Sequence, residues 1–328
     1  MSNQFAATIL DQPVILAPMS GITDQPFRRL VREFGVDIVV SEMIASASQV
    51  KGSRISSERA RWAVDEGLRV VQLAGCRTEL MALAAAMNQD QGADVIDINM
   101  GCPVKKVVGG SAGSALMRDE AHALRLIETV VGAVDIPVTL KMRSGWDAAH
   151  RNAPSLAARA EGAGVAMITV HGRTRCQFYD GHADWDFIAE VAGAVNIPVI
   201  ANGDVNCVED AAVMLQRSGA AGVMIGRGAF GRPWFPVQVR HYLATGRHLA
   251  EPDMAVQRDT AIGHYCAILE HYGAGRGLRI ARKHINRYLE RLNVAKEDRR
   301  AVLREGDGGA VIQQLGEAYD KVMAREAD

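Results

Sequence analysis

The chain runs to 328 residues, 48% hydrophobic and 23% charged, which suits a well-cored protein with room for one large domain and a smaller one. With 37 basic and 38 acidic side chains the net charge is -1, so there is no global pull toward nucleic acid and any polyanion site must come from local clustering. The five cysteines, Cys76, Cys102, Cys176, Cys207 and Cys266, are scattered, odd in number and free of C-x-x-C or zinc-like Cys/His spacing, so neither disulfides nor a metal are expected.

The first thirteen residues, MSNQFAATILDQP, carry no basic segment ahead of a long apolar one. No later run approaches the ~20 apolar residues that cross a bilayer, so no membrane partner and a cytoplasmic location are expected. Short apolar runs then recur at Val14 to Ala17, Ile38 to Val40, Val70 to Leu73, Val95 to Ile98, Val138 to Leu140, Met167 to Val170, Val199 to Ala201 and Val223 to Ile225. Several are dense in Val and Ile without polar alternation, as parallel strands buried on both faces are. Gly35, Gly92, Gly132, Gly164, Gly193 and Gly219 fall near the ends of the intervening helical patterns, and Pro137 and Pro198 sit at strand mouths. Eight evenly spaced βα units predict an α/β fold of the TIM-barrel, (β/α)8, kind rather than a doubly wound sheet.

After about residue 245 the strand rhythm stops, and helices are predicted over 254–272, 276–292, 296–305 and 308–325. The expected division is therefore a catalytic barrel over 1–245 and a helical domain over 246–328. Between Arg276 and Arg304 ten basic residues stand against three acidic ones. Arg276, Arg279, Lys283, Arg287 and Arg291 recur at three- and four-residue spacing, which lines them on one helical face and predicts a polyanion-binding surface. No long apolar surface helix stands out, so a monomer is expected.

Residues with chemistry to offer fall just after the strands, on what becomes the C-terminal face of a barrel. Cys102 sits between Gly101 and Pro103, close to Lys105 and Lys106. Such a cysteine can be a nucleophile, a metal ligand, a disulfide half or an ordinary strand-end residue. Asn202-Gly203-Asp204 and Gly226-Arg227-Gly228 follow the seventh and eighth strands, where barrels commonly bind phosphate, although plain tight turns are the alternative. Gly226 to Gly231 also fits G-x-G-x-x-G, but no parallel strand follows it, which rejects a Rossmann reading. Lys141 ends a buried strand, where an ammonium needs an anionic partner such as a reduced flavin. His171 can donate to a phosphate or a ring, and Gln72 offers a paired donor and acceptor to a heterocycle edge.

Asp97 to Lys106, continuing through Gly109-Gly110-Ser111 to Met117, joins Ala17-Pro18-Met19-Ser20-Gly21, Gln72-Leu73-Ala74-Gly75, Lys141-Met142-Arg143, His171-Gly172-Arg173-Thr174-Arg175 and Arg282-Lys283-His284 in one ordered set. In this set the chain resembles the tRNA-dihydrouridine synthases, most of all their B-type bacterial branch. The resemblance implies a barrel that binds FMN through Pro18, Met19, Ser20, Gln72, Lys141, His171, Asn202, Gly203, Asp204, Gly226 and Arg227. It makes Cys102 the general acid and Asn99, Arg143 and Arg173 contacts to the target uracil. Lys105, Lys106, Arg175, Arg279, Arg282, Lys283 and Arg287 become tRNA contacts, directed at the D-loop and elbow. NADPH is the implied reductant, with hydride reaching C6 of uracil and the Cys102 proton reaching C5. The rival reading is an FMN barrel acting on a free metabolite, as a dihydroorotate or dihydropyrimidine dehydrogenase does. The basic helical tail argues against it, since a small substrate needs no such surface.

Overall fold

The protein is described by a computed structural model covering residues 11, 13–59 and 67–327. Nine short strands, all parallel, form one sheet: β1 (Val14–Leu16), β2 (Ile38–Val39), β3 (Ile44–Ala45), β4 (Val70–Ala74), β5 (Val95–Met100), β6 (Val138–Arg143), β7 (Met167–His171), β8 (Val199–Asn202) and β9 (Gly222–Ile225). Their order is β2-β1-β9-β8-β7-β6-β5-β4-β3. The ring closes because Val40, just past β2, bridges Val70 of β4 in parallel, and the Ser41 N–H donates to the Val70 carbonyl at 3.0 Å. β2 and β3 are two pieces of one stave, so the nine strands make the eight-stave barrel read from the sequence.

Side chains alternate across each stave. Val14 and Leu16 pack outward against the helices, whereas Ile15 and Ala17 join Ile38, Val40, Val70, Val95, Met167, Ile200 and Met224 in an apolar plug inside the barrel. Two residues further along, the same inward positions become polar: Gln72, Asp97 and Asn99, Thr139 and Lys141, Thr169 and His171, and Asn202. β5 to β8 thus run past the apolar ends predicted for them, and their last residues project polar groups into the barrel's upper half. The plug below gives those groups a dry floor.

Helices α1 (Gln25–Glu33), α2 (Ser46–Val50), α3 (Arg54–Arg59), α4 (Thr78–Asp90), α5 (Lys105–Val108), α6 (Glu120–Val131), α7 (Ala153–Gly162), α8 (Trp185–Gly193), α9 (Val208–Ser218) and α10 (Phe235–Thr245) belong to the barrel part of the chain. Asp24, Asp119 and Asp184 cap α1, α6 and α8 through side-chain acceptance of a backbone N–H. Four further helices follow, α11 (Met254–Tyr272), α12 (Ala274–Arg291), α13 (Lys296–Arg304) and α14 (Gly308–Ala327). They match the four predicted segments to within two residues at each end. They pack around a core of their own that includes Tyr265, Ile285, Tyr288, Leu289, Leu315 and Tyr319. No helix among the described residues is long and apolar enough to cross a membrane.

Candidate active site

A cavity of about 510 Å³ opens at the C-terminal ends of the strands, a size typical of small-molecule and cofactor sites. Its wall includes Pro18, Met19, Ser20, Gln72, Asn99, Cys102, Lys141, Arg143, His171, Asn202, Gly203, Asp204, Gly226 and Arg227. One polar chain crosses its floor. The Thr139 hydroxyl donates to Asp97 Oδ1 at 2.6 Å, Gln72 Nε2 donates to Asp97 Oδ2 at 2.7 Å, and Asn99 Nδ2 donates to Gln72 Oε1 at 2.8 Å. This fixes both amides, because each carboxamide oxygen must face a donor. Asn99 Oδ1 in turn accepts the N–H groups of Gly101 at 3.2 Å and Cys102 at 3.0 Å, so the floor holds the cysteine loop.

The loop is clamped from the other side too. The Cys102 carbonyl accepts from the Ser114 hydroxyl at 2.9 Å and the Ser114 N–H at 3.1 Å. Gly113 has φ +61°, and a Cβ there would stand 2.8 Å from that carbonyl, so the turn needs glycine. Burial pushes the half-buried Cys102 thiol above its ordinary value, against weaker opposing effects of the Val104 N–H, Arg143 and Lys141. The side chain is therefore a thiol at neutral pH, suited to giving a proton and not to nucleophilic attack.

Lys141 is buried and donates to Asn202 Oδ1 at 3.0 Å. Burial pulls its pKa down to about 8, with Asp97 opposing. Burial first, then the cations Lys141, Arg143, Arg173 and Arg227, push His171 well below its ordinary value, so its imidazole is neutral. Arg173 Nη1 lies 3.4 Å from His171 Nε2. A guanidinium has no acceptor, so this contact assigns the lone pair to Nε2 and leaves Nδ1–H to donate.

Around the far rim, none of the N–H groups of residues 203–205 or 226–228 donates to another described residue. Gly203 has φ +123°, and a Cβ there would meet Ala183 Cβ at 2.7 Å and His171 Cδ2 at 3.0 Å. These six residues line one side of the cavity, on two glycine-bearing loops whose amides have no protein partner among the described residues.

Arg173 was expected among the substrate contacts, and the structure withdraws it from the wall. Its guanidinium grips Asp204 in a two-pronged pair at 2.8 and 2.7 Å and also donates to the carbonyls of Asp180 at 3.2 Å and Gly181 at 2.6 Å. With the His171 contact, every donor of the group is used. Arg143 is half committed, donating to the carbonyls of Gly101, Thr174 and Phe178 at 2.8, 2.7 and 2.7 Å while remaining on the wall. Tyr179, which sequence reasoning missed, stands 52% exposed at the lip, with Arg227 4.8 Å and Arg143 5.6 Å from its ring centre.

A family profile described as "Dihydrouridine synthase (Dus)" matches residues 15–320. The chain belongs to the dihydrouridine synthase family. Among its relatives, a probable tRNA-dihydrouridine synthase of Rickettsia conorii (strain ATCC VR-613 / Malish 7) is 52% identical over 315 residues, covering 96% of this chain and 95% of that protein. The tRNA-dihydrouridine synthase B of Xanthomonas campestris pv. campestris is 47% identical over 311 residues, covering 95% and 94%. The structure of histamine dehydrogenase from Rhizobium sp. 4-9 superposes with a TM-score of 0.54 at 12% identity, covering 95% of this chain and 62% of that one. At that identity the likeness concerns the fold alone.

In this dihydrouridine synthase the expected tRNA contacts are scattered in fate. Lys105 and Lys106 are exposed on α5 beside the cavity, and the Arg175 guanidinium stacks on Trp146 at 4.7 Å and Phe178 at 5.0 Å. Arg279 and Arg282 are exposed on α12 and make no ion pair among the described residues. Lys283 is half-buried and faces Asp24 and Glu42, and Arg287 is paired with Glu290 at 2.6 Å. Arg276 is held by Glu58 at 2.7 Å and Arg291 by Glu251 at 3.2 Å. The basic stripe is thus not one open face: Arg276, Arg287 and Arg291 are spent on ion pairs and Lys283 is half-buried facing acidic groups, while Arg279 remains open.

Proposed function

We propose that the protein reduces specific D-loop uridines of tRNA to 5,6-dihydrouridine with FMN as bound cofactor and NADPH as reductant. The observation that carries this reading is Cys102 on the wall of a cavity whose opposite side is lined by two glycine loops with unpartnered amides. The residues fit FMN. Six unpartnered backbone amides and the Arg227 guanidinium suit its phosphate, while Gln72, Lys141 and His171 offer the donors and charge that a flavin ring takes. When bound, FMN supplies the hydride that adds to C6 of uracil.

The chain's own residues do the rest. As hydride arrives, negative charge develops on C5 and the C4 carbonyl of the uracil, and Cys102 gives its Sγ proton to C5. Asn99, its amide already oriented by Gln72, would hold the base edge, with Arg143 as the charged partner. Arg173 keeps His171 and Asp204 in place as a positioning residue. Extracting the uracil from its stack costs a few kcal/mol, which phosphate contacts from Lys105, Lys106, Arg175, Arg279 and Arg282 offset. We assign residues 1–245 to the catalytic barrel and 246–328 to a helical tRNA-binding unit.

The test is incubation of purified protein with NADPH and tRNA lacking dihydrouridine, followed by site-by-site mass spectrometry. Dihydrouridine at a D-loop position is expected and names that position. A flavin-loaded protein that oxidises NADPH but leaves tRNA unchanged would move the assignment to a free-metabolite reductase.

A further inference from the structure

Asp24, His264 and His284 converge where the first barrel loop abuts the helical unit, and one ligand-capable atom from each lies within 4.8 Å of the others. Asp24 caps α1, His264 stands on α11 and His284 on α12, so three elements supply them. Each is only 2% exposed. Asp24 Oδ1 accepts the Phe27 N–H at 3.2 Å and the Asp24 carboxyl also meets the Tyr272 hydroxyl, but His264 Nε2 and both ring nitrogens of His284 have no partner among the described residues. Orphaned atoms of this kind are rare in buried sites, and three in one cluster require a physical reason.

His264 Nδ1 lies 3.0 Å from the Tyr288 hydroxyl, leaving Nε2 aimed at the cluster. A metal-bound histidine typically has this arrangement, one nitrogen on the ion and the other fixed by an outer hydrogen bond. Phe27 and Phe230 flank His284 with ring centres 5.6 and 5.4 Å away, so the surroundings exclude bulk water. Burial holds both imidazoles in the neutral, ligating form. A second cavity, of about 190 Å³ and lined in part by Asp24, Glu42, Tyr272 and Lys283, leads to the carboxyl and gives an entry path.

We propose that Asp24, His264 and His284 form a structural site for a divalent transition metal, Zn²⁺ by ligand type, which ties the helical unit to the barrel. Two imidazoles and a carboxylate are borderline nitrogen and oxygen donors that suit Zn²⁺ and disfavour Mg²⁺ or Ca²⁺. Three protein ligands leave a fourth position for water. Ligand bonds of about 2.1 Å place tetrahedral ligand atoms roughly 3.4 Å apart, so the side chains draw together on binding. The charged side chains that act on Asp24, Glu42 and Lys283, are opposite in sign and oppose each other.

Tag-free, full-length holoprotein from zinc-replete cells should carry about one zinc per chain, and its crystals should give an anomalous peak at the zinc edge between the three side chains. Asp24→Asn keeps the helix cap, because Asn caps as well as Asp, yet it and His264→Gln should both lose the metal. Returning zinc to chelated wild type at 100 times its Kd should raise Tm by about 4 °C, and not at all in Asp24→Asn. Wild type with less than about a tenth of a zinc per chain and no zinc-dependent rise overturns the proposal. Zinc retained undiminished in both variants, or an anomalous peak elsewhere, overturns it too. Should the variants fail to fold, wild-type metal content and the anomalous map decide alone.

Discussion

As the proposed general acid, Cys102 must be protonated when the reaction begins, and burial favours this by raising the thiol above its ordinary value. The sign follows: the acid form persists through neutral pH and is lost only as pH rises through the elevated value. Single-turnover reduction of tRNA should therefore show no Cys102-dependent fall through neutral pH, with an alkaline limb only above the ordinary thiol range. Cys102→Ala should keep its flavin colour but lose about 100-fold or more in that step, the usual contribution of a general acid, and an unchanged rate would remove Cys102 from the role. Arg173 and Asp204 make a different prediction. The Arg173 side chain is 2% exposed and Asp204's is 18%, and burial, opposed by the stronger joint pull of Arg173 and the Ala183 N–H, leaves the Asp204 carboxyl below its ordinary value. That pairing stabilises the fold at neutral pH and is lost as pH falls through the lowered folded value. Asp204→Ala leaves a buried guanidinium uncompensated and should cost about 3 kcal/mol in urea unfolding. The double variant with Arg173→Met should be less destabilised than the single one, and a strictly additive cycle would contradict the coupling.

Barrel staves were legible as elements because a parallel strand buried on both faces is an apolar run that little else imitates. Their polar ends were less so. Asp97 and Asn99, or Thr139, Lys141 and Arg143, continue the strand at the inward period of two, but mixed polarity reads as the start of a loop. The Thr139–Asp97–Gln72–Asn99 chain was illegible for the further reason that three staves contribute to it, and Tyr179 because one exposed aromatic on a loop carries no pattern. The two glycine loops proposed to hold phosphate were placed by topology alone, and two glycines in them separate structural need from ligand need. Gly203, with φ +123° and Ala183 Cβ 2.7 Å from a would-be Cβ, should lose about 1–3 kcal/mol of stability as Gly203→Ala. Gly226 lines the cavity and has no neighbour closer than 3.5 Å to a would-be Cβ. Gly226→Ala should leave the unfolding midpoint of flavin-free protein nearly unchanged and weaken FMN, measured by fluorescence titration. Equal stability losses in both variants would refute the distinction.

Across the whole molecule, local charge was the clearest sequence signal of a macromolecular substrate, and the fold redistributes it. Spacing alone put Arg276, Arg279, Lys283, Arg287 and Arg291 on one face, but it could not show that α12 buries Gly277, Ala281, His284, Ile285, Tyr288 and Leu289, which turns part of that face toward acidic partners and leaves Arg279 open. The Asp24, His264 and His284 cluster was hidden in the same way, since no two of its members are close in sequence. Open charges and paired charges should therefore behave differently toward tRNA. Arg279→Glu and Arg282→Glu should weaken tRNA binding at every sequence alike. Each lost phosphate contact should flatten the plot of log affinity against log salt by about one unit. Arg276→Glu instead breaks the 2.7 Å pair with Glu58 and sets two carboxylates together, so its first effect should be a lowered Tm with little change in salt slope. Gel-shift titrations across a salt series, run beside thermal unfolding, separate the two classes. A flattened slope for Arg276→Glu and none for Arg279→Glu would place the tRNA on the barrel-side flank of α12, opposite to the face its open arginines mark.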